Sequence, residues 1–193
     1  MATAGMSPSE QRERRSDAHR NRERLVAAAM KAVHREGLAV PMATIAGDAR
    51  VGVATLYRHF PTREDLLGDL THRSFQRLRE NLAGAAAEGG TATQVLRIFW
   101  SAVVRDADDL LLPLTGGPTV LDESTRAEQR ALHEEIGGVL RRGALDGTIR
   151  REVEAWDIAW FGAMLAQSGH EGQTWEVVSL RLMESYLAGL GTS

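Results

Sequence analysis

Apolar positions recur along this chain at spacings of three and four residues, and almost nowhere in strict alternation. Leu25, Ala29 and Val33 fall four apart, with Val26 and Met30 beside them. That spacing predicts one helix face, opened by Asp17 as N-cap and closed by Gly37. A short helix follows from Pro41 to about Ala49. Val51-Gly52 makes a turn, and a second short helix runs from Val53 to Phe60 before Pro61 breaks it. Thr62 is a good N-cap, with Glu64 and Asp65 in the first turn, where the helix dipole favours acid. The helix it opens carries Leu67, Leu70, Phe75, Leu78 and Leu82, and stops near Gly84 to Gly90. Val95, Phe99 and Val103 mark another helix after Thr91. A loop spans Pro113 to Pro118, a helix Ser124 to Arg142 and a turn Gly143 to Thr148. Helices over Val153–Ser168 and Thr174–Leu190 end the chain, and His170-Glu171 falls in the loop between them. The fold class is all-α.

The last two helices are apolar on more than one side. The final one carries Trp175, Val178, Leu182 and Tyr186 on one stripe and Leu180, Met183, Leu187 and Leu190 on another. The one before it carries Trp156, Trp160 and Ala163, and also Ile158, Phe161 and Leu165. A surface helix of a monomer needs a single stripe. Ala159, Gly162, Ala163 and Ala166 are small enough for close helix approach. A symmetric four-helix interface between two copies explains both features, with Trp156, Ala159, Gly162, Ala163, Ala166, Val178, Leu182 and Tyr186 as its candidate residues. A helix at the centre of a monomeric core is the alternative.

Composition narrows the classes. The 193 residues carry a net charge of −3, 43% hydrophobic residues and no cysteine. Disulfides, cysteine-ligated zinc, iron–sulfur clusters and a cysteine nucleophile are excluded. No apolar run approaches the roughly 20 residues of a membrane-spanning helix, and the first residues do not resemble a signal peptide; a cytoplasmic protein is expected. Residues 1–72 hold 11 basic and 9 acidic side chains, and residues 73–193 hold 12 and 17. Six arginines lie between positions 11 and 24, and Lys31 is the only lysine. Arginine suits bidentate phosphate and base-edge contacts, although a GC-rich genome also enriches it. The asymmetry points to a polyanion-binding N-terminal part on an acidic body. Residues 1–16 read as a disordered arm, either touching DNA or merely aiding solubility.

Two short helices about a tight turn at Gly52 make a helix-turn-helix. Ile45, Ala46 and Ala49 on the first and Leu56 and Phe60 on the second fix their angle, with Val51 between them. Val53, Ala54, Thr55, Tyr57, Arg58 and His59 remain to enter a major groove.

The run Ala54-Thr55-Leu56-Tyr57-Arg58-His59-Phe60-Pro61-Thr62-Arg63-Glu64-Asp65-Leu66-Leu67, with Ile45-Ala46, Ala49 and Val51 upstream, resembles the TetR-like transcriptional regulators. The close resemblance covers roughly residues 17–70. It implies an N-terminal three-helix DNA-binding domain (17–62) followed by a helical ligand-binding and dimerisation domain (63–193). By position, Tyr57 and His59 meet the DNA backbone, Arg63 contacts phosphate, and Thr44 lies near the backbone path. Val53, Ala54 and Thr55 are candidates for base-edge or thymine-methyl contacts, and Arg58 reaches phosphate or solvent. Two departures stand out. Val40 and Pro41 occupy positions that usually offer a capping Ser or Thr. Arg50 stands where the turn usually has Gly; it either adds a phosphate contact or is simply solvated.

The resemblance further implies a repressor that leaves an inverted-repeat operator when a small molecule enters the C-terminal domain and shifts the fourth helix. Phe75, Phe99, Trp100, Val103, Trp160 and Met164 are candidate pocket residues, with plain core as the alternative. The Leu110–Leu114 run and the Gly116-Gly117-Pro118 loop are a candidate lid. An apolar pocket favours an apolar or aromatic effector. No cofactor or metal is expected: His59 has no ligand partner at a suitable spacing, and His133-Glu134 lacks the second His of a zinc-protease motif. The rival readings are a helical protein-interaction module and a DNA-binding regulator that needs no ligand.

Overall fold

The computed structural model describes residues 8–115, 117–167 and 173–191. Residues 1–7 of the expected arm, Gly116 of the candidate lid, and Ser168 and His170-Glu171 between the last helices lie outside them. The described residues form eight α-helices and no strand: α1 (Pro8–Glu36), α2 (Met42–Asp48), α3 (Val53–His59), α4 (Arg63–Ala87), α5 (Ala92–Arg105), α6 (Glu123–Asp146), α7 (Ala155–Leu165) and α8 (Gln173–Leu190). They divide into two compact units, one ending at Leu66 and the other beginning at Leu67.

In the first unit α1 starts at Pro8, nine residues before the Asp17 cap that the pattern predicts, so residues 8–16 are helix rather than a disordered arm. No Gly or Pro interrupts the segment from Ser9 to Glu36. Proline suits a first helical turn, which leaves its N–H groups unsatisfied anyway. Asp17 instead pairs within the helix with Arg20. Leu25, Ala29 and Val33 of α1, Ile45 and Ala46 of α2, Leu56 of α3 and Phe60 are all buried, with α1 packed on α2 and α2 on α3. Thr62 caps α4 as expected. Its hydroxyl accepts from the Asp65 N–H at 3.0 Å, and the Asp65 carboxylate accepts from the Thr62 N–H at 3.0 Å.

In the second unit α4 ends at Ala87, within the expected Gly84–Gly90 stretch, and Ala85, buried in the core, holds its last turn. Thr91 and Gln94 form a capping box on α5. α6 passes through Gly143 and ends at Gly147, whose φ of +76° gives the left-handed C-terminal turn. The turn predicted from Gly143 therefore starts four residues later. Gly143 is a packing glycine: an added Cβ would stand 2.7 Å from Ala92 and 2.8 Å from Ile149. Arg79 of α4 ties α6 in place, at 2.6 Å from both Glu135 and Glu128. Their carboxylates raise the Arg79 pKa, Glu135 the more.

Ser74 of α4 fixes the segment after α5. Its buried hydroxyl donates to the Leu70 carbonyl at 2.8 Å and accepts from the Leu111 N–H at 2.8 Å. Ser74→Ala strands a buried N–H, which costs about 1–3 kcal/mol. The expected result is a melting temperature lowered by roughly 2–12 °C; a drop under about 1 °C in a thermal melt would show that another group satisfies Leu111.

Candidate functional site

The turn between α2 and α3 is built from backbone hydrogen bonds. The Arg50 N–H donates to the Gly47 carbonyl at 2.9 Å and the Val51 N–H to the Ala46 carbonyl at 3.0 Å, the pair that defines a Schellman ending. Its left-handed residue is Arg50, with φ +55°, the only positive φ on a non-glycine among the described residues. Arg24 of α1 steadies the turn by donating to the Ala49 carbonyl at 2.7 Å and the Arg50 carbonyl at 3.3 Å. Gly52 then opens α3 in an extended conformation.

A left-handed non-glycine residue costs about 1–2 kcal/mol, and glycine returns part of that as extra freedom in the unfolded chain. Arg50→Gly is therefore expected to stabilise the protein by about 0.5–1 kcal/mol, raising the melting temperature by roughly 1–4 °C. A lowered melting temperature would show that the Arg50 side chain supplies more than the strain removes.

α3 shows two faces. Leu56 and Phe60 are fully buried, whereas Val53 (42% exposed), Ala54, Tyr57 (47%) and Arg58 are open to solvent. Thr55 and His59 are half-buried at the rim, as is Thr44 on α2. The ring of His59 packs inward: its Nε2 is buried without a partner. Burial lowers its pKa, and the nearby Arg58 and Arg22 cations lower it further, so the neutral ring is favoured. Arg22 lies over the Phe60 ring, 4.5 Å from its centre.

Two of the expected phosphate contacts are placed differently. Arg63 donates to the Leu38 carbonyl at 2.9 Å and the Val40 carbonyl at 2.5 Å. It fastens the chain between α1 and α2, and Val40 serves through its carbonyl rather than a side-chain hydroxyl. Pro41 stands at the N-cap of α2 and offers no side-chain cap. Arg50 borders a shallow groove with Arg24, Lys31, Arg35 and Asp48, alongside α1 rather than on the open face of α3.

The second unit contains a cavity of about 300 Å³. Phe75, Phe99, Val103 and Trp160 line it, as four of the six pocket candidates should, and Leu112, Pro113 and Leu114 of the candidate lid line it too. The remaining two candidates do not. Trp100 is completely buried behind the wall, edge-on to Phe161 at 4.9 Å and to Tyr186 at 5.7 Å. Met164 is 57% exposed and points to the outside. Sequence patterning missed Leu132, Ile136 and Ile158, which line the cavity but carry the same signal as ordinary core positions, and also Gln129 and His133.

The candidate interface residues also divide. Trp156 (50%) and Leu182 are exposed, joined by Trp160 (52%), Met164, Val177 and Leu180 outside the candidate set, while Ala159 and Val178 are half-buried. Gly162, Ala163 and Ala166 are instead buried within the protomer. Gly162 is small because a Cβ there would press on the Trp100 indole at 3.2 Å. Tyr186 stacks on Phe161 at 4.0 Å and 5°, again inside the protomer. No described helix is long and apolar enough to cross a membrane.

Comparison with known proteins agrees with this architecture. Residues 25–70 match the family "Bacterial regulatory proteins, tetR family". Over 86 residues the chain is 38% identical to the HTH-type transcriptional repressor KstR of Mycolicibacterium smegmatis, a match that spans 44% of this chain and 42% of that repressor. The crystal structure of a TetR transcription regulatory protein from Mycobacterium vanbaalenii is 31% identical, with a TM-score of 0.63, and the match covers 92% of this chain and 99% of that one. The structure of AibR, solved with isovaleryl coenzyme A and operator DNA, shares the fold at 15% identity and a TM-score of 0.68, over 89% of this chain and 98% of its own. A helix-turn-helix with an open second helix, matched by the family pattern and carried on a chain alignable with a TetR regulator over nearly its whole length, places this protein in the TetR family of bacterial transcriptional regulators.

Proposed function

We propose that the protein is a ligand-responsive repressor that binds an inverted-repeat operator as a homodimer in the cytoplasm. The observation that carries this reading is the open face of α3. Val53, Ala54, Tyr57 and Arg58 stand free on a helix whose other side is locked into the first unit. Val53 and Ala54, with Thr55 beside them, lead into the groove toward base edges. Tyr57 and Arg58 meet the phosphates, with Thr44 and the rim of His59 beside them. Arg63 supports this surface by holding the chain between α1 and α2, and Arg50 is the more distant contact.

The exposed apolar face of α7 and α8 pairs two copies, setting the recognition helices one groove repeat apart or a multiple of it. The effector enters the cavity of the second unit. α4 runs without a break from Arg63 to the cavity residues Phe75 and Leu78, and it is the element through which a shift at the cavity would act. Release requires the effector to bind the DNA-incompetent form more tightly. The repressor KstR supports the DNA-binding half of this reading, and AibR, solved with isovaleryl coenzyme A and operator DNA, supports a fold that takes both a small molecule and DNA.

Selection from random duplexes across a salt series tests it. Enrichment of an inverted repeat, with affinity falling steeply as salt rises, is the expected result. An enriched single half-site would remove the dimer from the reading. No enrichment at low salt would overturn it and bring the protein-interaction reading forward.

A further inference from the structure

Every side chain on the cavity wall is apolar or aromatic except Gln129 and His133, and none carries a fixed charge. The two polar residues sit one turn apart on α6. His133 Nδ1 lies 2.8 Å from the Gln129 backbone oxygen. A carbonyl oxygen only accepts, so Nδ1 holds the proton of the neutral ring, and Nε2 is left as a lone-pair acceptor. That Nε2 is buried and has no partner. The ring packs against Trp156, with centres 4.0 Å apart. Trp156 is half exposed and can yield to a ligand without disturbing the core.

A buried acceptor without a donor is costly, and a ligand that supplies the donor removes that cost. A ligand carboxylate or phosphate finds no fixed cation on the wall, and burying its charge there is strongly unfavourable. We propose that the cavity selects an uncharged aromatic or alicyclic molecule bearing a hydroxyl group, and that His133 Nε2 accepts the hydrogen bond from that hydroxyl. This rests on the reading of the cavity as the effector site. Within that reading it assigns a chemical class to the effector and a specificity role to one residue.

Isothermal titration of the full chain with 2-naphthol, naphthalene and 2-naphthoate separates the two claims. The proposal expects 2-naphthol to bind at least about tenfold more tightly than naphthalene, and 2-naphthoate to bind weakest. His133→Phe keeps a ring against Trp156 and should bring 2-naphthol and naphthalene to equal affinity. Equal binding of these two by the parent protein would overturn the role of His133 and leave the cavity reading standing. So would a preference for 2-naphthol that survives in His133→Phe. Tightest binding of 2-naphthoate would overturn the uncharged class. Binding of none of the three would overturn the effector site itself. If His133→Phe does not fold, His133→Leu takes its place with the same expected and overturning results.

Discussion

Ala54→Glu should weaken binding to the selected duplex by at least about 100-fold while leaving the melting temperature within about 2 °C of the parent. Ala54 is exposed on the second helical position of α3. A carboxylate in a first turn is neutral to favourable for the helix, because it faces the positive end of the dipole. The folded protein therefore loses nothing. The same carboxylate, carried into a groove between two rows of phosphates, meets like charge. Such juxtapositions cost on the order of several kcal/mol, and a dimer contains two. Tyr57→Ala would produce a smaller loss, since it removes a contact without adding repulsion. The informative measurement is affinity and thermal melting on the same preparation. Unchanged affinity with an unchanged melt would remove α3 from the DNA interface.

Trp100→Ala should cost about 3–5 kcal/mol, a fall in melting temperature of roughly 6–20 °C. Trp100 is wholly buried and is bracketed by Phe161, Tyr186 and Gly162. Its removal leaves a large void, and the stacked Phe161–Tyr186 pair cannot collapse into it without separating. Trp160→Ala makes a sharp contrast. That indole is half exposed, so within one protomer its truncation should cost under about 1 kcal/mol. A melt in which the two variants fall equally would contradict the assignment of Trp100 to the core.

These two tryptophans show where sequence reading runs out. The helix-turn-helix was legible because its signals are local: a turn at Gly52, a capping Thr62, and apolar residues that can face only one way on helices of seven residues. The left-handed backbone at Arg50 is flagged only by the resemblance, in which a Gly usually stands there. Around α7 and α8 the apolar stripes could be counted, but their partners are distant in sequence, so nothing marked which stripe meets the core. Gly162 looked like a contact point for another helix, and it is the space that Trp100 occupies. Arg63 shows a similar limit. A guanidinium binds carbonyl oxygens as readily as phosphates, and its targets, Leu38 and Val40, lie about 25 residues away in the chain. The beginning of α1 is hidden for another reason: its charged, polar composition reads as disorder, although nothing from Ser9 onward breaks a helix.

Trp156 and Trp160 belong at once to the wall of the cavity and to the exposed face proposed to pair two copies. On that proposal self-association and effector uptake draw on the same two side chains, and each is expected to alter the affinity of the other. Whatever free energy an effector adds to or subtracts from pairing, pairing must return to effector affinity in equal measure. The apparent dissociation constant of the effector should accordingly drift with protein concentration across the monomer–dimer transition, and level off once one species prevails. In a cell, the abundance of the regulator would then help set the effector level at which it responds.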